Sequence, residues 1–111
     1  MNKALRVATL NVRGIKDENK RKIILRHVKS RCDVILIQDT HDDGNITKSI
    51  CKEFPGQWAF SNGTNLSGGV GIGIVNYGFQ MTDDHEYLGD DGRLMGKVIK
   101  DDKHSFYIIS A

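Results

Sequence analysis

The chain has 111 residues, 39% of them hydrophobic and 27% charged, with one proline and two cysteines; this suits one folded domain and excludes a disordered or disulfide-stapled segment. Its net charge of +2 conceals an asymmetry. Residues 1–53 carry twelve Lys and Arg against seven Asp and Glu, residues 54–82 carry no charge, and residues 83–111 carry four against seven. A basic half points to a polyanionic partner or to solvated helix surfaces, and without a membrane-span or secretory pattern the protein is expected inside the cell, in nucleus or cytoplasm, not secreted and not in a membrane.

Leu5 to Leu10 reads as a strand, "NVRGIKDEN" as a loop, and Lys20 to Arg31 as a helix, because Ile24, Leu25, Val28 and Cys32 recur at helical spacing. Lys20, Arg21, Lys22, Arg26 and Lys29 then fall on the opposite face, where they either contact phosphates or are simply solvated. "VILI", Val34 to Ile37, is apolar at every position, which suits a strand covered on both faces and joined to the first by a crossover helix. A short helix is expected near Ile46 to Phe54. After it, "QWAFSNG" and "GGVGIGIVN" read as strands about a turn at Asn62 to Ser67, and "RLMGKVIKDDKHSFYIIS" as a hairpin turning at Asp101 to Lys103. The expected class is α/β, a mixed sheet with a β-α-β start and later antiparallel strands. Cys32 and Cys51 have neither framework nor metal spacing and are expected as reduced thiols.

A parallel crossover places the loops that follow its two strands on one edge, so Asn11 and Asp39 should lie near each other there. An amide oxygen and a carboxylate suit a hard cation such as Mg²⁺. The alternative is that Asn11 only serves an awkward turn dihedral and Asp39 only caps the next turn. Arg13 lies in the loop beside Asn11, within reach of a phosphate at the same edge, and His41 adjoins Asp39.

Two neighbouring patterns fail on their chemistry. "DTHDDGNITKSI" imitates a calcium loop, yet its third position is His41 and its twelfth is Ile50 where a bidentate Glu is needed. Gly69, Gly71 and Gly73 lie two apart on one face of a strand with no helix following, so they allow close packing and are no dinucleotide loop.

"RVATLNVRGIKDENKRKIILRHV", "CDVILIQDTH", "SGGVGIGIV" and "DDGRLM", taken in that order, resemble the endonuclease/exonuclease/phosphatase superfamily, specifically the apurinic-endonuclease-like domain of non-LTR (LINE-type) retrotransposons. The resemblance implies the N-terminal portion of a four-layered α/β sandwich of the deoxyribonuclease I type, which cleaves phosphodiester bonds in DNA with Mg²⁺ (or Mn²⁺). By motif match, Asn11 would orient the scissile phosphate or a metal-bound water, and Asp39 would ligate the metal, both acting as catalytic and metal-site residues. Arg13, Lys16, Lys20 and His41 would hold nucleic acid.

The family most often has Glu where this chain has Asp39, shorter by one methylene. Its pattern also continues past "YIISA" with Tyr-Ala-Pro, an Asp-x-Asn pair and a terminal Asp-His pair, to which the resemblance assigns the general base, leaving-group stabilisation and phosphate orientation. Residues 1–111 are therefore expected to form a single truncated domain that does not cleave DNA alone. Its implied partners, besides DNA, are the remaining half of the domain or a reverse transcriptase on the same polyprotein. A non-enzymatic nucleic-acid-binding module and a degenerate remnant are the alternative readings.

Overall fold

In the computed structural model, the described residues are 5–41, 45–54, 56–62, 68–75, 78–88 and 94–110. Asp42, Asp43, most of the expected turn at 62–67 and most of the "DDGRLM" motif lie outside them. The described elements are β1 (Val7–Asn11), α1 (Glu18–Lys29), β2 (Val34–Gln38), α2 (Asn45–Glu53), β3 (Gln57–Ser61), β4 (Val70–Ile74), β5 (Gln80–Leu88), β6 (Met95–Lys100) and β7 (Ser105–Ser110). They form a mixed α/β fold with two sheets and two helices.

The first sheet has the order β1-β2-β4-β3 and the second β5-β6-β7. β1 and β2 run parallel with Val7 opposite Val34 and Asn11 opposite Gln38, as the crossover through α1 requires. β4 runs antiparallel between β2 and β3, placing Val70 beside both Gln38 and Ser61. The carboxyl ends of β1, β2 and β3 therefore share one edge with the start of β4.

The unbroken apolar pattern of β2 has its explanation in two cores. On one face of the first sheet, Ile35 and Ile37 meet Leu25 and Val28 of α1 and Ile46 and Ile50 of α2. On the other, Val34 and Leu36 join Val70, Ile72 and Ile74 of β4 and Met95 and Ile99 of β6. Each such side chain, fully withdrawn from water, contributes about 1.5–3 kcal/mol before chain entropy is counted. No helix among the described residues is long and apolar enough to cross a membrane.

α1 begins two residues before its expected start. Asp17 caps it, accepting from the Asn19 N–H at 2.9 Å, and Glu18 opens the first turn. One expectation is corrected here. Arg21, placed by the sequence on the solvated face, is only 5% exposed. Its Nε and Nη2 donate to the two carboxylate oxygens of Glu53 at 2.9 and 2.6 Å, and Nη1 donates to the carbonyl oxygens of Ile15 and Lys16. The guanidinium is a fork with fixed partners, so burial becomes tolerable.

The turn at Asp101 to Lys103 is present, with Asp101 accepting from the backbone N–H groups of Lys103 and His104. β5 was not expected as a strand. It pairs with β6 through a register shift between Thr82 and Tyr87, and such an irregularity breaks the alternation by which a strand is recognised.

The glycine face of β4 packs as expected. A Cβ on Gly73 would collide with three ring atoms of Trp58, and one on Gly71 would fall 2.8 Å from two ring atoms of Phe60. The two rings stack at 5.7 Å, and the indole N–H donates to the Phe54 carbonyl at 2.9 Å. Since that bond fixes the indole, Gly73→Ala is expected to destabilise the fold by about 1–3 kcal/mol through overpacking. Urea unfolding checks this; an unchanged midpoint would show that the indole yields freely.

Candidate metal-binding and phosphodiester site

Three loops are stitched together at the shared edge. Past the ends of β1 and β2, the N–H groups of Val12, Gly14 and Ile15 donate to the carbonyls of Gln38, Asp39 and Thr40 at 3.0, 2.7 and 3.3 Å. On the other side, the N–H groups of Thr40 and His41 donate to the carbonyls of Gly69 and Gly68 at 3.1 and 2.8 Å. Val12 and Ile15, buried to 4% and 0% exposure, anchor the first loop in the core.

This lacing holds the backbone in an unusual state. Arg13, Asp39 and His41 have φ of 48°, 58° and 57°, and Gly14, Gly68 and Gly69 have φ of 83°, 75° and 95°. Among the described residues these six are the positive-φ residues, and all lie in the three loops at this edge. Left-handed backbone costs a non-glycine residue about 1–2 kcal/mol, so three such residues together need the surrounding hydrogen bonds to hold them. Aspartate suits the conformation better than most, because its short side chain can bond locally.

Asp39 does bond locally: its Oδ1 lies 2.9 Å from His41 Nε2, with the two side chains 35% and 26% exposed. The imidazole lies over Gly14, where a Cβ would come within 2.9 Å of Nδ1. Glycine at position 14 thus permits both the left-handed turn and the close approach of His41. Asn11 is exposed, and its Oδ1 accepts from the Arg13 N–H at 3.2 Å. Asn11 ends β1 and is not among the positive-φ residues, so it carries no awkward dihedral of its own; its side chain instead helps form the turn at Arg13. That bond occupies one of the two lone pairs of the amide oxygen and leaves the other.

The expected residues therefore gather. Asn11 is in register with Gln38, one residue before Asp39, and Arg13 and His41 flank the pair. Lys20 reaches back from α1, its Nζ donating to the Gly14 and Arg13 carbonyls at 2.8 and 3.4 Å; it braces the loop. Lys16 and His41 line a hollow of about 340 Å³ beside it.

Other contributors carried no sequence signal. Gln38 Nε2 donates to Thr9 Oγ1 and to Ser110 Oγ, each at 3.1 Å, and Ser110 Oγ donates to the Ile37 carbonyl at 3.3 Å, which ties the second sheet to the first at this edge. Thr40 is 1% exposed, and its Oγ1 has no hydrogen-bond partner among the described residues.

The donors here are a carboxylate oxygen of Asp39 and the amide oxygen of Asn11. Both are oxygen donors of the class taken by a hard cation such as Mg²⁺ or Mn²⁺, an ion usually held by one or two carboxylates with water and substrate oxygens completing its shell. No group of three His, Cys, Asp or Glu among the described residues could hold a metal unaided. Compared with models of known protein families and with curated proteins, the chain gives no match.

Proposed function

We propose that this edge is the metal-binding part of a phosphodiester-cleaving site acting on DNA, in the N-terminal portion of a retroelement-type endonuclease domain with a deoxyribonuclease I-like sandwich. The observation that carries the reading is the clustering of left-handed backbone, three non-glycine residues included, around Asn11 and Asp39. Strain of this kind persists where a structure over-determines it, and it gathers at sites of function. The motif resemblance and the basic half of the chain support the same substrate.

In this reading Asp39 ligates Mg²⁺ or Mn²⁺ and Asn11 holds the scissile phosphate or a water on the ion. The cation, when bound, supplies Lewis-acid stabilisation of the charge that grows on the phosphoryl oxygens. His41 fixes the Asp39 carboxylate through the 2.9 Å contact, as partners of metal-ligating carboxylates do. Arg13 and Lys16 hold the DNA backbone, a contribution that weakens with salt and carries little sequence information. The protein would act in the nucleus or cytoplasm, joined by the rest of its domain or by a reverse transcriptase of the same polyprotein.

Asn11 and Asp39 supply metal and phosphate contacts; no general base is assigned among the described residues. The expected result is therefore that the purified chain, incubated with supercoiled plasmid in Mg²⁺, leaves it uncut. Nicking that Asp39→Ala abolishes would show a complete site in this chain and contradict the proposal.

A further inference from the structure

The two helices leave a crevice between them that the site does not use. It measures about 580 Å³ and has the Arg21–Glu53 pair and Phe54 among its lining residues. Glu18, Lys22 and Arg26, four residues apart along α1, line it together with Ser49 and Lys52 of α2. The smaller hollow that holds Lys16 and His41 shares Glu18, Arg21 and Ser49 with it. The two hollows thus adjoin at these three residues, and the trough they make together is lined by Lys16 and His41 in the one and by Arg26 and Lys52 in the other.

The charges in this trough are unequally matched. Arg21 is neutralised by Glu53, and Lys22 by Glu18 at 2.8 Å. Lys16, Arg26 and Lys52 have no ion-pair partner among the described residues, so the trough keeps an excess of positive charge at both ends. From Glu18 to Arg26 the helix rises about 12 Å, over which one strand of a duplex presents about three phosphates. Phe54 is 5% exposed, which offers bases no stacking platform and favours backbone contact over single-strand capture.

We infer that the α1–α2 crevice is a second phosphodiester track, on which Arg26 and Lys52 grip the backbone of duplex DNA leaving the metal edge. The inference rests on the reading that the substrate is DNA, but it assigns contacts on the helix layer, away from the strand ends. The test uses the full chain in EDTA, so that the metal edge takes no part, with a fluorescein-labelled duplex of mixed sequence titrated at several salt concentrations. The double variant Arg26→Gln/Lys52→Gln is compared with Lys29→Gln/Lys103→Gln, which removes the same charge from exposed positions outside the trough.

The crevice variant is expected to bind about tenfold more weakly, with the slope of log K against log salt reduced by about 1.8, while the control keeps the wild-type slope. Equal losses in both variants would reduce the effect to net charge and overturn the inference, as would a wild type that does not bind. Displacement of the duplex by polyglutamate at equal charge concentration would also overturn it, in favour of an acidic protein partner. A failure here that leaves metal binding at Asp39 intact removes the track and spares the metal site.

Discussion

Arg21→Ala is expected to lower stability by about 3 kcal/mol, a fall in Tm of roughly 12 °C for a chain of this size. The substitution strips Glu53 of both its guanidinium contacts and frees the Ile15 and Lys16 carbonyls from Nη1. A buried donor fork removed from one side only leaves the other side's polar groups unpaired, and that desolvation cost makes the loss large. Arg21→Met combined with Glu53→Leu removes both partners together and is expected to recover much of the stability. Urea unfolding of the three proteins separates the cases; a single variant as stable as wild type would mean that water replaces the guanidinium at no cost.

The same pair sets a pH dependence. The Arg21 hydrogen bonds hold the Glu53 carboxyl below its ordinary range, so the folded state binds that proton less readily than the unfolded state. The stabilisation is therefore full above the unfolded glutamate value of about 4.3 and is lost as pH falls through the depressed folded value. Arg21 itself is raised, chiefly by its bond to Glu53, and stays charged throughout. The wild type should lose more stability on acidification than the Arg21→Met/Glu53→Leu variant.

Arg21 also shows where a sequence stops being readable. A cation at its position in α1 looks solvated because its partner, Glu53, lies 32 residues away, and nothing local announces the pairing. The opening β-α-β unit was legible for the opposite reason, since a strand apolar on both faces needs cover on both, and "VILI" fits few other places. β5, "QMTDDHEYL", hides behind its acidic residues and its register shift with β6. At the site, the adjacency of Asn11 and Asp39 followed from the crossover alone. The left-handed conformations of Arg13, Asp39 and His41 did not follow, because glycine normally marks such positions and only Gly14, Gly68 and Gly69 did so. Those conformations come from backbone hydrogen bonds among three loops far apart in sequence.

The second large effect concerns Asp39. Its left-handed backbone, φ 58°, gives a physical reason for aspartate at this position: the short side chain tolerates the conformation and its carboxylate reaches His41 at 2.9 Å. Asp39→Glu adds about 1.5 Å of reach and is expected to tighten Mg²⁺ binding while lowering stability by about 1 kcal/mol through backbone strain. A titration followed by thermal melting reads both; equal affinity would remove reach as the limiting factor. Asp39→Ala is the stronger change, since it deletes the carboxylate proposed to ligate the metal, and metal binding there should vanish.

The most direct test is paramagnetic line broadening by Mn²⁺ in the amide NMR spectrum of the isotope-labelled chain, with Mg²⁺ as competitor. Broadening is expected to centre on residues 11–14 and 38–41, to be reversed by Mg²⁺ and to be lost in Asp39→Ala with the remaining amide shifts unchanged. Broadening centred elsewhere, or broadening of these loops that survives Asp39→Ala, would contradict metal ligation by Asp39.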